Sequence, residues 1–351
     1  MINHLKTIED VEFNSTHSDK HHVLFLGKSG SGKTLIANTV AEYFELPFAV
    51  GDATNYSPTG FQGADADSVV YDLLLNTGMN FELAEKGIVF MDEIDKICSS
   101  NQKSGRYESF IGSTQSTLLK LVEGKVVKIP GPVFGEPPGA IANLDTSKML
   151  FIFGGAFNGL AEIIAKSKGL TEKTMGFRTA ENNKMDELDE AMKSYEIFSN
   201  TTREEMVNAL IEFGMLAELI GRIGTVVPFK PLTENELQKV LTDSNVSPVQ
   251  KQQELFARSG YELVFTDDFI AKVVEKAYKS ATGTRALDSY VKHSVGQASF
   301  DCLNLHKHSM VKDQIIISAA TLENPENYQK CKIYPTGSLF GSFSTSTAAT
   351  I

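Results

Sequence analysis

The stretch VLFLGKSGSGKTLIANTV (residues 23–40) decides the reading of this chain. Residues 23–27, VLFLG, are a short apolar run ending in turn chemistry. Residues 34–44, TLIANTVAEYF, have helical spacing, with Leu35, Ile36, Val40 and Phe44 expected close to one face. Between them, GKSGSGKT (27–34) fits the pattern G-x-x-x-x-G-K-[ST] at every fixed position, after a strand and before a helix. Glycines let the backbone curl so that several N–H groups face one anion, and the helix N-terminus adds its dipole. Gly27, Ser29, Gly30, Ser31 and Gly32 are the candidate phosphate cradle. Lys33 reaches the outer phosphates, and the Thr34 hydroxyl ligates magnesium. The competing reading is a glycine-rich turn that matches by chance, and both flanks speak against it.

Further along, GIVFMD (87–92) is a second buried strand, followed directly by Glu93. Its apolar residues put Asp92 at the carboxyl end, where open α/β sheets place their ligands. Asp92 is then a magnesium ligand, direct or through water, and Glu93 a general base for the attacking water. Alone, two adjacent carboxylates could equally be a solvated helix cap. Together with the phosphate loop they indicate a nucleoside triphosphatase. No guanine-selective Asn-Lys-x-Asp pattern is present, which favours ATP. Apolar strands at 47–50, 87–92 and 149–154 alternate with helical segments at about 65–76, 81–86 and 115–123. That alternation predicts an α/β fold with a buried parallel sheet.

Composition narrows the class. The chain has 351 residues, enough for about two domains, and is 42% hydrophobic and 22% charged. Its 33 basic and 44 acidic residues give a net charge of −11, so nonspecific binding to nucleic acid is not its main activity. Cys98, Cys302 and Cys331 are far apart and unpaired in pattern, which predicts neither a disulfide framework nor zinc and fits a reducing, cytoplasmic setting. No signal-like or membrane-spanning apolar run is seen, so no membrane partner is expected.

Four regions are expected: a flexible lead-in at 1–21, a large α/β domain at 22–229, a smaller mostly helical domain at 230–322, and a disordered tail at 323–351. Residues 125–143 read as an exposed loop or ragged hairpin. Residues 166–202 are polar, and a structureless stretch that long is either functional or disordered. Thr202 with Glu205, and Thr233 with Glu236, read as capping boxes. Residues 267–281 form an amphipathic helix, 284–304 another, and 314–318 a strand. His306 and His308 read as exposed residues rather than a metal pair.

These pieces resemble one family. GKSGSGKT, PFAVGDAT (47–54), GIVFMDEIDKI (87–97), LLKLVEG (118–124), DTSKMLFIFGGAF (145–157), GMLAELIGR (214–222) and GTRAL (283–287) occur in the order seen in the ClpX family of AAA+ unfoldases. The resemblance covers roughly residues 22–320. It implies a homo-oligomeric, hexameric ring that uses ATP and magnesium to thread protein substrates and works with a ClpP-like peptidase. ATP then lies between the large and small domains. Gly60, Phe61, Gln62 and Gly63 match the family's pore loop, whose ring grips peptide whatever its sequence. Phe61 as a core residue is the competing reading. Arg222 becomes the arginine finger completing a neighbour's site, worth about 10³–10⁵ in rate, and Arg285 the nucleotide-sensing arginine. A surface ion pair is the alternative for either. Met175, Gly176 and Phe177 resemble the Ile-Gly-Phe tripeptide that docks on the peptidase.

The resemblance also fails in places. No cysteine cluster stands for the family's zinc-binding domain, and the residues before the phosphate loop do not match the adenine-packing segment. GPVFGEPPGA (131–140) replaces a basic loop and holds one acid and no base. The second pore loop, expected near 108–113, departs from the pattern. Residues Gly154 and Gly155 offer no Asn or Thr as first sensor, and Asn158 lies beyond them. A ClpX-like regulator with little turnover, and a remodelling factor without a peptidase, therefore stay open beside the unfoldase.

Overall fold

The computed structural model describes residues 21–56, 67–98, 105–169, 187–244, 246–280, 283–303 and 312–333. The lead-in at 1–20, the expected pore loop, the docking tripeptide, the two histidines and the residues after 333 lie outside them. The chain divides into two units between Pro231 and Leu232.

In the first unit, β1 (His22–Leu26), β2 (Phe48–Asp52), β3 (Ile88–Asp92), β6 (Leu150–Gly155) and β7 (Ile223–Pro228) form one sheet. Their order is β2-β3-β6-β1-β7, and every neighbouring pair is parallel. Successive strand residues point to opposite faces, and both faces are covered. Leu24, Leu26, Val89, Met91, Phe151 and Phe153 enter one core. Phe25, Ile88, Phe90, Leu150 and Ile152 enter the other, beneath α1 (Lys33–Tyr43). Burial on both faces is why these strands read as continuous apolar runs instead of alternating ones.

Helix α1 corrects the expected stripe. It packs on the sheet through Ala37 and Ala41, while Leu35 and Ile36 are 38% and 47% exposed. A helix lying close on a sheet needs small side chains at the contact, and alanine supplies them. The remaining elements of this unit are α2 (Ser68–Asn76), α3 (Phe81–Glu85), α4 (Gly105–Gly124), β4 (Val126–Pro130), β5 (Ile141–Asp145), α5 (Leu160–Ser167), α6 (Glu187–Ser199), α7 (Arg203–Phe213) and α8 (Ala217–Arg222). β4 and β5 pair antiparallel, so the hairpin alternative holds for 125–143. Residues 108–113, expected as a second pore loop, fall inside α4. The polar stretch 166–202 contains α6, which buries Ala191 and Phe198.

Helix α4 is anchored at its C-terminal end by Thr146. The buried Thr146 hydroxyl donates to the carbonyl of Leu121 at 2.7 Å and accepts the amide of Lys125 at 2.8 Å. This satisfies one of the carbonyls that a helix end leaves without an intrahelical partner.

The second unit has α9 (Glu234–Thr242), α10 (Pro248–Arg258), β8 (Tyr261–Phe265), α11 (Asp267–Tyr278), α12 (Thr284–Leu303), β9 (Lys312–Ile317) and β10 (Gln329–Ile333). β8 and β9 are parallel, joined through α11 and α12, and β10 adds antiparallel to β9. Its core includes Leu237, Phe256, Leu263, Phe269, Leu287, Val291 and Ile315. Both capping boxes form, Thr202 with Glu205 and Thr233 with Glu236. The expected tail boundary at 323 is too early: β10 continues the unit to Ile333. Its residues, QKCKI, are polar because it is an edge strand, where lysine is common and apolar runs are not needed.

Replacing Thr146 by valine keeps the shape and removes both bonds to the end of α4. The first unit should then lose about 1–3 kcal/mol in urea or guanidinium unfolding. An unchanged midpoint would show that Thr146 does not hold this end.

Candidate nucleotide site

β6 lies between β1 and β3, so the loops following all three strands leave the same edge of the sheet. The phosphate loop after β1 and Asp92 at the end of β3 are one strand apart, about 10 Å between strand axes. The amide of Gly27 donates to the carbonyl of Gly155 at 3.1 Å, which ties the start of the loop to the end of β6. A Cβ on Gly27 would lie 2.8 Å from Cβ of Phe229, so only glycine fits this approach.

The loop is shaped for an anion. Gly32 is the N-cap of α1 with φ of 86°, offers no side-chain cap, and α1 has no acidic residue in its first turn. The first amides of a helix have no intrahelical acceptor, and they carry the positive end of its dipole. The buried Ser31 hydroxyl has no hydrogen-bond partner. Lys33 is 7% exposed, and its ammonium folds back over the loop, donating to the carbonyls of Gly27 at 2.6 Å and Lys28 at 3.1 Å. Oriented amides, an orphan hydroxyl and a buried cation around one turn fit a phosphate group.

Across the strand ends stand the carboxylates. Asp92 and Glu93 are half-buried, and an Asp92 carboxylate oxygen accepts the amide of Glu93 at 2.9 Å. Glu93 has φ of 57°, a left-handed conformation that costs a non-glycine residue on the order of 1–3 kcal/mol. It opens a 3₁₀ turn, Ile94–Ile97. Asp95 in that turn is 8% exposed, and its two carboxylate oxygens accept the amides of Ala156 and Phe157 at 3.3 and 3.4 Å. Sequence reasoning missed Asp95. It fixes the turn carrying Glu93 to the residues that follow β6. At Gly154 an added Cβ would lie 2.6 Å from Cζ of Phe90 and 3.2 Å from Asp92, so the end of β6 has no room for an Asn or Thr side chain there. Asn158 is exposed.

Arg222 ends α8, is exposed, and pairs with Glu123 of α4 at 2.8 Å, both side chains about half exposed. Arg285, in the second unit, is exposed near the start of α12. Gly60, Phe61, Gln62, Gly63, Met175, Gly176 and Phe177 are outside the described residues. No group of three or more His, Cys, Asp or Glu that could hold a metal occurs among the described residues. No described helix is long and apolar enough to cross a membrane.

A parallel sheet with a glycine phosphate loop and a strand-end Asp-Glu pair is the architecture of the P-loop nucleoside triphosphatase class. A family model described as the AAA domain (Cdc48 subfamily) matches residues 18–226. One described as the C-terminal, D2-small domain of ClpB protein matches residues 232–314. The chain is 32% identical over 337 residues to the ATP-dependent Clp protease ATP-binding subunit ClpX of Treponema denticola, spanning 95% of this chain and 77% of that protein. It belongs to the AAA+ ATPase family, in its ClpX-like branch, a family that uses nucleotide and magnesium.

Cys98 follows the turn and gives a chemical reporter on it. Its thiol donates to the carbonyl of Ile94 at 3.4 Å. Burial, with the Asp95 carboxylate adding, pushes its pKa up to about 12. At pH 8 only about one molecule in 10⁴ would then carry the reactive thiolate. Maleimide at pH 8 followed by mass spectrometry should label the exposed Cys331 and leave Cys98 free. Fast labelling of Cys98 at pH 8 would mean that the turn is open.

Proposed function

We propose that the chain is an ATP-hydrolysing unfoldase subunit that works as a homo-oligomeric, hexameric ring. The observation carrying this reading is that the phosphate loop and the Asp92 and Glu93 turn leave the same edge of the sheet, one strand apart, with an exposed arginine, Arg222, in a weak pair. Gly27, Ser29, Gly30, Ser31, Gly32 and Lys33 bind the triphosphate through amides, hydroxyls and the ammonium. Thr34 and Asp92 would hold magnesium, which spreads the negative charge of the phosphoryl oxygens. Glu93 accepts a proton from the attacking water. Arg285 is assigned to nucleotide sensing on the resemblance alone.

Arg222 is suited to act on a neighbouring subunit. An exposed ion pair is worth about 0–1 kcal/mol, so exchanging Glu123 for a transferring phosphate costs little. The guanidinium then stabilises charge that develops only in the transition state. A site completed in trans makes hydrolysis depend on assembly, and a ring gives every site a neighbour.

Gly60, Phe61, Gln62 and Gly63 are proposed to grip polypeptide in the ring's pore. Met175, Gly176 and Phe177 are proposed to dock on a ClpP-like peptidase. The resemblance to ClpX supports both. A second reading, a regulator with little turnover, is favoured by the connector at 131–140, whose only charged residue is Glu136. Steady-state ATPase of the purified chain separates the two.

Glu93→Gln should bind ATP with nearly unchanged affinity, while phosphate release falls by about 10²–10⁴. Turnover like that of the parent would remove Glu93 as the base. Phe61→Ala should keep ATPase activity and lose unfolding of a fluorescent substrate protein; normal unfolding would end the pore assignment.

A further inference from the structure

Gln115 is a polar residue that is 1% exposed, on α4. Its side-chain amide is held by backbone from two separate places. The NH₂ group donates to the carbonyl of Ile97 at 2.8 Å and to the carbonyl of Gly214 at 3.1 Å. The amide oxygen accepts the N–H of Leu216 at 2.8 Å. Two carbonyls on one side and an N–H on the other allow only one orientation of the amide.

The partners are telling. Ile97 ends the 3₁₀ turn that Glu93 opens. Gly214 is the C-cap of α7, and Leu216 is the N-cap of α8. Helix α8 ends at Arg222, whose guanidinium meets Glu123, eight residues along α4 from Gln115. Helix α8 is therefore fastened to α4 at both ends. At its start, the same amide also holds the far end of the turn carrying Asp92 and Glu93. Neighbouring Thr114, also buried, donates to the carbonyl of Tyr56 at 3.4 Å.

We propose that Gln115 is a positioning residue that holds α8, and with it Arg222, in fixed relation to the turn carrying Asp92 and Glu93. The proposal rests on the reading of Arg222 as acting on a neighbouring subunit. Through Gln115, the state of a subunit's own nucleotide site is communicated to the arginine it presents next door. The amide touches neither nucleotide nor reacting atoms. Its effect is transmitted by three short bonds that cannot follow a shift of the turn without moving the start of α8.

The test uses two full-length parents mixed with ATP and magnesium. Glu93→Gln subunits lack the base and keep the arginine. Arg222→Ala subunits keep the base and lack the arginine. Where an Arg222→Ala subunit sits beside a Glu93→Gln subunit that presents its arginine, a complete site forms, so mixing restores phosphate release. Gln115→Met is then placed only in the Glu93→Gln parent. Restored turnover should fall at least about tenfold, since an ångström of misplacement can cost about 10² in rate. KM for ATP should stay unchanged, because the chain holding that nucleotide keeps its Gln115. A purely structural role would not give this split.

Restored turnover within twofold of the unmodified pair overturns the proposal alone. So does a loss of assembly, by analytical ultracentrifugation, in place of a loss of turnover. Absence of restoration between the parents without any change at Gln115 overturns the Arg222 reading, and the proposal with it. If Gln115→Met does not fold, Gln115→Asn, one methylene shorter, is judged by the same outcomes.

Discussion

The bond from the amide of Gly27 to the carbonyl of Gly155 sets where the phosphate loop leaves the sheet. It continues the parallel pairing of β1 with β6, in which Leu26 lies opposite Gly155. β6 also pairs with β3, with Met91 opposite Phe153. Three strand ends are thus held in one register, and the loop, the Asp92 and Glu93 turn and the residues after β6 share one edge. The strain of Glu93 in a left-handed conformation persists because buried neighbours on both sides of the turn fix it. Asp95 fastens that turn to the residues after β6, and Gln115 fastens it to α4.

α4 is the element through which these constraints meet. Its buried side chains Leu118, Leu121 and Val122 belong to the larger core. His22, at the start of β1, is buried beside it, with one ring nitrogen 3.2 Å from the carbonyl of Val122 and the other accepting the amide of Phe151. A helix tied to β1, to the turn after β3 and to α8 moves, if it moves, as one body with them. Packed interiors shift between discrete arrangements and do not deform continuously. The proposed link from the phosphate loop to Arg222 relies on that property.

Much of the candidate nucleotide site could be named from the sequence because phosphate-binding chemistry requires particular residues in contiguous order. The glycines, Lys33 and Thr34 sit in eight successive residues, and Asp92 and Glu93 end a strand whose apolar run is unmistakable. The parallel sheet was legible for the same reason: strands buried on both faces are apolar throughout. What failed was side-chain size and contacts distant in sequence. Counting apolar residues grouped Leu35 and Ile36 with Val40 and Phe44 on one face, whereas the face of α1 that meets the sheet carries Ala37 and Ala41. Helix α6 was hidden in a polar stretch because, among its described side chains, only Ala191 and Phe198 are buried. β10 was hidden because an edge strand carries lysines. Asp95 and Gln115 gave no signal, since a lone Asp or Gln acquires meaning only when its partners, up to 101 residues away, are known.

In the proposed ring, each hydrolytic site is completed by a second copy of the chain. Steady-state phosphate release per chain, measured against protein concentration at saturating ATP and magnesium, decides this. Almost no turnover is expected at dilution, with a steep rise that coincides with assembly followed by light scattering. Turnover per chain that is the same at every concentration would contradict it, as would fully assembled protein that releases no phosphate.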